Sequence, residues 1–145
     1  MGEAARTLLE EDFVEGSLEI LILDDEPIVG ARLKPALEKE GHIVEIFVDS
    51  SEAAARLEEK NFDIVVTDIR MEGLDGIQLL EKVKHLSPRT KVIIITGYAT
   101  VELARESEGK GAFDFIAKPF RIGTIRDKIM KAAKALEKER AVAEH

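Results

Sequence analysis

Five side chains stand where short apolar runs of this chain break off. Asp24 and Asp25 follow EILIL (19–23), Asp68 follows DIVV (63–66) and Thr67, Thr96 follows KVIII (91–95), and Lys118 follows AFDFIA (112–117). If those runs are neighbouring strands of one sheet, three carboxylates, a hydroxyl and an ammonium share a single rim. Carboxylates so crowded repel one another, which should raise the pKa of some of them. Lys118 offsets one charge, and a hard divalent cation offsets two. The only donors on offer are oxygens, which suits Mg²⁺ or Mn²⁺. With an ammonium and a hydroxyl opposite, the set has the parts for phosphoryl transfer: cation and lysine stabilise charge while a carboxylate attacks as nucleophile. Each residue also has a plainer use. Asp25 could cap a helix begun by Pro27, Asp68 could be a turn former, Thr96 an ordinary β-branched strand residue and Lys118 a solvated lysine. Their coincidence at successive run ends argues for a site.

The elements that must position them follow from periodicity. A fifth run, HIVEIF (42–47), completes the set of five, and the first, third and fourth are almost continuously apolar, as parallel strands covered on both faces are. Helical patterns lie between. One spans Pro27 to Glu40 and stops at Gly41. One is capped by Ser50 or Ser51 and runs through Lys60, with Ala53, Ala54 and Leu57 as its stripe. A third is capped by Asp75 and reaches His85. Ile122, Ile125, Ile129, Ala132, Ala133 and Leu136 mark one face of a long final helix. Strand alternating with helix five times predicts an α/β fold, an open parallel sheet with right-handed crossovers and helices on both faces. Ligands of such sheets bind at the carboxyl ends of the strands, the rim where the five residues lie.

Composition narrows the class of function. The 145 residues suit one domain, with 45% apolar and 34% charged residues in a globular balance. A net charge of −8 argues against direct nucleic-acid binding and leaves room for cations and basic proteins. Without cysteine, thiolate metal sites and cysteine nucleophiles are excluded. No apolar run approaches the roughly 20 residues that span a bilayer, and the acid-rich start does not read as a targeting peptide, so no membrane association and a cytoplasmic location are expected. His42 and His85 are expected at the surface, and no histidine has metal-ligand spacing.

LILDDEP, VVTDIRMEGLDG, VIIITGYAT and GAFDFIAKPF, in this order and spacing, resemble the blocks of the response-regulator receiver domains of bacterial two-component signalling. TGYAT and GAFDFIAKPF look closest to receivers of nitrogen-regulation-type transcription activators. The resemblance implies a flavodoxin-like, doubly wound, five-stranded parallel sheet of order 2-1-3-4-5. It covers a receiver domain at 18–137, between an extension at 1–17, expected to be flexible, and a tail or the start of a linker helix at 138–145. By matching position, Asp68 is the phosphoacceptor, supplied by a phosphohistidine of a sensor histidine kinase or phosphotransfer protein. Asp25, Asp68 and the Arg70 carbonyl hold Mg²⁺, and Asp24 acts through a water. Thr96 and Lys118 engage phosphoryl oxygens, and the Lys118-Pro119 bond is cis. Thr96 and Phe115 form the switch, and Arg70 and Tyr98 modulate the lifetime of the phosphoryl group. The implied partners are the kinase and a second copy docking through the fourth helix, fifth strand and fifth helix. The implied chemistry is confined to the protein's own phosphorylation and dephosphorylation, so no independent enzyme is expected.

The chain departs from the family at three places. Glu72 stands where proline is usual. Pro35 lies inside the first helical pattern, where a missing N–H and a steric clash cost about 3 kcal/mol and predict a kink or early break. Ser107, Glu108, Gly109 and Lys110 interrupt the fourth helix, which is expected to be short or fluid. Two other readings compete. A degenerate receiver that only binds a partner would not need the complete set Asp24, Asp25, Asp68, Thr96 and Lys118. An aspartate-nucleophile phosphatase of the haloacid dehalogenase type would need an acid two residues after Asp68, where Arg70 stands. After the last helix only LEKERAVAEH remains, so the chain reads as either a stand-alone receiver or one cut from a longer regulator.

Overall fold

A computed structural model describes residues 17–69 and 75–144. Five parallel strands, β1 (Glu19–Leu23), β2 (Ile43–Phe47), β3 (Ile64–Asp68), β4 (Lys91–Thr96) and β5 (Asp114–Ala117), form one sheet in the order β2-β1-β3-β4-β5. Between and after them run α1 (Pro27–Glu38), α2 (Ser50–Glu59), α3 (Gly76–Leu86), α4 (Val101–Gly109) and α5 (Ile122–Glu144). This is the doubly wound architecture and strand order expected.

Alternate residues of the strands feed two cores. On one face Ile20, Ile22, Ile64, Val66, Ile93 and Ile95 meet Leu33 and Leu37 of α1 and Ile125, Ile129, Ala132 and Leu136 of α5. On the other, Leu21, Leu23, Val65, Val92 and Ile94 meet Ala53 and Leu57 of α2 and Leu79, Leu80 and Val83 of α3. Two covered faces are why β1, β3 and β4 read as unbroken apolar runs, while the edge strand β2 carries a polar residue, Glu45. That carboxylate takes both hydrogen bonds of the Arg56 fork, at 2.9 and 3.0 Å, tying α2 to the edge.

Four local details differ from expectation. First, the early break, one of the two expectations at Pro35, does not occur, and α1 continues to Glu38. Leu33 and Leu37 on either side of the proline are fully buried, and burying one leucine side chain yields about 1.5–3 kcal/mol, comparable with the cost of the proline. Second, α2 is capped by Asp49 rather than by a serine, its carboxylate accepting from the N–H groups of Ser51 and Glu52. Third, His42 is buried, not at the surface, and its Nδ1 accepts from the Leu18 N–H at 3.3 Å. A polar aromatic beside strand starts can be enclosed once a backbone donor satisfies it, and periodicity does not signal that. Fourth, the expected strand 63–66 starts one residue later and runs two further, carrying Asp68 itself into β3. The capping box at Asp75 and Gln78 that starts α3 agrees with expectation at Asp75. The fourth helix is short, nine residues, and Ser107 is its one buried side chain. The expectations for residues 1–16 and for Glu72 fall outside the described residues.

Candidate phosphoryl-acceptor site

Register converts the strand ends into a rim. Leu23 pairs with Thr67, so Asp24 and Asp68 stand side by side at the junction of β1 and β3, where strand order reverses. Asp68 pairs with Ile95, setting Thr96 one step further along β4, and Thr96 pairs with Ala117, setting Lys118 one step beyond that. The rim thus advances one residue at each of the last two strands, so that a lysine from the edge curls back over the acids. The Lys118 N–H donates to the Thr96 carbonyl at 2.7 Å, fixing the base of that side chain, and the Lys118-Pro119 bond is cis as expected.

The Lys118 ammonium meets three carboxylates: Asp24 Oδ2 at 2.7 Å, Asp68 Oδ2 at 2.7 Å and Glu26 Oε1 at 2.9 Å. Two of these contacts, to Asp68 and Glu26, are hydrogen bonds, and the third is an ion pair. The surroundings of the acids differ. The Asp24 side chain is 1% exposed and that of Asp68 7%, whereas that of Glu26 is 62% exposed. Asp24 Oδ1 accepts from the Glu26 N–H at 2.8 Å. Its Oδ2, although close to the ammonium, lies outside hydrogen-bonding alignment and is a buried oxygen with no hydrogen bond. Burial raises the Asp24 pKa, against the pull of the Lys118 ammonium, with the charge of Asp68 a smaller contribution in the same direction as burial. Desolvation therefore outweighs the mutual repulsion anticipated from the sequence. Burial lowers the Lys118 pKa, but the carboxylates of Asp24, Asp68 and Glu26 outweigh it and hold the ammonium well above the ordinary lysine value.

Asp24, Asp25, Glu26 and Asp68 each offer an oxygen, all within 4.8 Å of one another. An oxygen-only set of four acids, one of them an orphaned buried oxygen, fits a hard divalent cation. Asp25 is exposed at the mouth. Thr96 is fully buried, and its hydroxyl accepts from the Tyr98 N–H at 3.0 Å. Tyr98 itself is 59% exposed, and Phe115 is half-buried against the α2–α3 core. The structure therefore brings Asp24, Asp25, Asp68 and Lys118 together, places Thr96 on the adjacent strand end, and sets Tyr98 and Phe115 around it. Arg70 lies outside the described residues.

Two contributors escaped sequence reasoning. Glu26 has no role in the sequence reading; its adjacency to Asp24 and Asp25 is the available signal. Gly76 opens α3 against the end of β3, where a Cβ would sit 2.3 Å from the Asp68 carbonyl oxygen and 2.5 Å from Ile69 Cα. The Gly76 N–H donates to the Ile69 carbonyl at 3.0 Å, so only glycine permits this approach. A glycine at a first helical position was the clue.

The chain matches the sequence model described as the response regulator receiver domain over residues 20–130. It is 35% identical over 126 residues to the C4-dicarboxylate transport transcriptional regulatory protein DctD of Rhizobium meliloti, covering 87% of this chain and 27% of that protein. It thus spans about a quarter of that relative's length. It is 33% identical to sporulation initiation phosphotransferase F of Bacillus subtilis, covering 78% of this chain and 91% of that one. The solution structure of the beryllofluoride-activated NtrC4 receiver domain dimer superposes with a TM-score of 0.77 at 31% identity, over 81% of this chain and 98% of that one. By sequence model, relatives and fold, the chain belongs to the response regulator receiver domain family, the phospho-accepting switches of two-component signalling, with likeness to the nitrogen-regulation type.

Proposed function

We propose that Asp68 is the acceptor, taking a phosphoryl group from a phosphohistidine of a sensor histidine kinase or phosphotransfer protein. The observation that carries this is the 2.7 Å contact between Lys118 Nζ and Asp68 Oδ2 at the switch point of the sheet. In the transfer a carboxylate oxygen of Asp68 forms a bond to phosphorus as the phosphorus–nitrogen bond of the donor breaks, leaving the histidine neutral after protonation. Lys118 lies where charge builds on the phosphoryl oxygens, and charge-assisted hydrogen bonds of this kind are about twice as strong as neutral ones. Thr96 offers its hydroxyl to another phosphoryl oxygen.

Asp25, Asp68 and the Arg70 carbonyl would hold Mg²⁺ or Mn²⁺, with Asp24 linked through a water. When bound, the cation supplies the positive charge that the four acids lack. Its preference for Mg²⁺ rests on the oxygen-only donors. In the switch we assign, the Thr96 hydroxyl leaves the Tyr98 N–H for the phosphoryl group, and Phe115 turns into the space. Tyr98 and Arg70 control the approach of water. Residues 18–137 form the receiver, and output through a homodimer on the α4–β5–α5 face is supported by the activated NtrC4 dimer. Sedimentation with and without beryllofluoride tests it, and an unchanged monomer mass rejects it.

The test of the acceptor is incubation with acetyl phosphate and Mg²⁺ followed by intact mass measurement. The protein is expected to gain one phosphoryl group and Asp68→Asn none. No gain, or equal gain in both, rejects the acceptor and leaves a binding-only receiver; sustained turnover of small phosphomonoesters would show a phosphatase instead.

A further inference from the structure

Glu26 lies outside the acceptor set, yet it takes one of the three Lys118 contacts. The three partners are unequal. Asp24 is enclosed and pinned by a backbone N–H, and Asp68 is the acceptor on a buried strand end. Glu26 precedes Pro27 at the start of α1 as its N-cap residue, but its side chain caps nothing and instead reaches out to Lys118. At 62% exposure it can swing into water with little loss of packing.

A phosphoryl group arriving on Asp68 needs a donor from the ammonium, whose two hydrogen bonds go to Glu26 and Asp68 while Asp24 crowds it at 2.7 Å. The cheaper to release is the one to Glu26. We infer that Glu26 is a positioning residue that holds the place of the phosphoryl group: it keeps Lys118 extended over the acceptor in the resting protein and yields to the phosphoryl oxygens on transfer. This rests on the assignment of Asp68 as acceptor. The consequence is a built-in brake, because the donor must displace a carboxylate of its own charge sign. Two unit charges about 4 Å apart interact in water by about 1 kcal/mol, so neutralising Glu26 should speed transfer about three- to tenfold.

The experiment compares wild type with Glu26→Gln at saturating Mg²⁺, following phosphorylation by acetyl phosphate through intact mass. The step transfers a phosphoryl group from the acetate oxygen to Asp68 and releases acetate. The same comparison is made in a Lys118→Ala background, counted over hours so that slow labelling registers. The expected result is a three- to tenfold faster rate for Glu26→Gln with lysine present and less than a twofold difference without it. An unchanged or slower rate overturns the placeholder role, as does a gain that persists without Lys118, which would mean that Glu26 only repels the donor. If wild type itself gains no phosphoryl group on Asp68, the acceptor assignment fails instead, so the two failures are distinct. Glu26 lies at the surface, and matching thermal melts of wild type and Glu26→Gln confirm that rates are compared between folded proteins.

Discussion

Replacing Lys118 by methionine keeps the length of the side chain and removes the ammonium that meets Asp24 and Asp68 at 2.7 Å. Both carboxylates are more than nine-tenths buried, with oxygens within 4.8 Å of one another. At that separation and an effective dielectric of 20, their bare repulsion is about 3.5 kcal/mol. Protonating one acid would relieve it. From an ordinary aspartate value near 3.9 that costs about 4 kcal/mol at pH 7 and about 1.5 kcal/mol at pH 5, which are upper bounds because burial raises the Asp24 pKa. The expected loss of stability is therefore about 3 kcal/mol at pH 7, in line with the cost of stripping a partner from buried charges, and about 1 kcal/mol at pH 5. Urea unfolding at both pH values, with and without about 10 mM MgCl₂, measures it. Saturating Mg²⁺ should stabilise the variant more than the wild type, because a cation would replace the missing charge. A loss under 1 kcal/mol at pH 7, or the same loss at both pH values, would refute the view that charge compensation is what Lys118 supplies to the resting fold.

Two further outcomes are expected. Gly76→Ala should destabilise by about 2 kcal/mol, because the new Cβ would meet the Asp68 carbonyl oxygen at 2.3 Å. Helix propensity alone would stabilise by up to about 1 kcal/mol, so the sign of the change in a thermal melt separates close approach from propensity. His42 is held neutral chiefly by burial, which lowers its pKa against the pull of Glu40 and Asp63. The unfolded chain then binds more protons below about pH 6.5, so this contribution to stability is present above that pH and is lost as pH falls through the depressed folded value. In His42→Gln the urea midpoint should fall less between pH 7 and pH 5.5 than in wild type. An identical fall in both proteins would show that His42 does not set the acid dependence.

The rim could be read from types and order because parallel strands put all their carboxyl ends on one side. Once the runs before Asp24, Asp68, Thr96 and Lys118 were strands of a doubly wound sheet, those side chains had to share an edge. The same logic gave α3 its Asp75 cap, a signal contained within four consecutive residues. Elements whose energetics are local, or whose burial pattern repeats along the chain, were therefore legible.

What the sequence by itself determined about this protein was the sheet, its covered faces and the membership of Asp24, Asp25, Asp68, Thr96 and Lys118 in one edge. Only the tertiary structure decided that Lys118 also reaches Glu26, that α3 presses Gly76 onto β3, that α1 survives Pro35 and that His42 is enclosed. The Lys118–Glu26 pair and the enclosure of His42 join residues far apart in sequence, the Gly76 approach brings α3 back onto Asp68 and Ile69, and the burial of Leu33 and Leu37 against the sheet carries α1 past Pro35. Periodicity records which face a residue shows, but not which distant atom it will touch. Close approach, ion pairing and burial of a single polar ring are set by that second quantity.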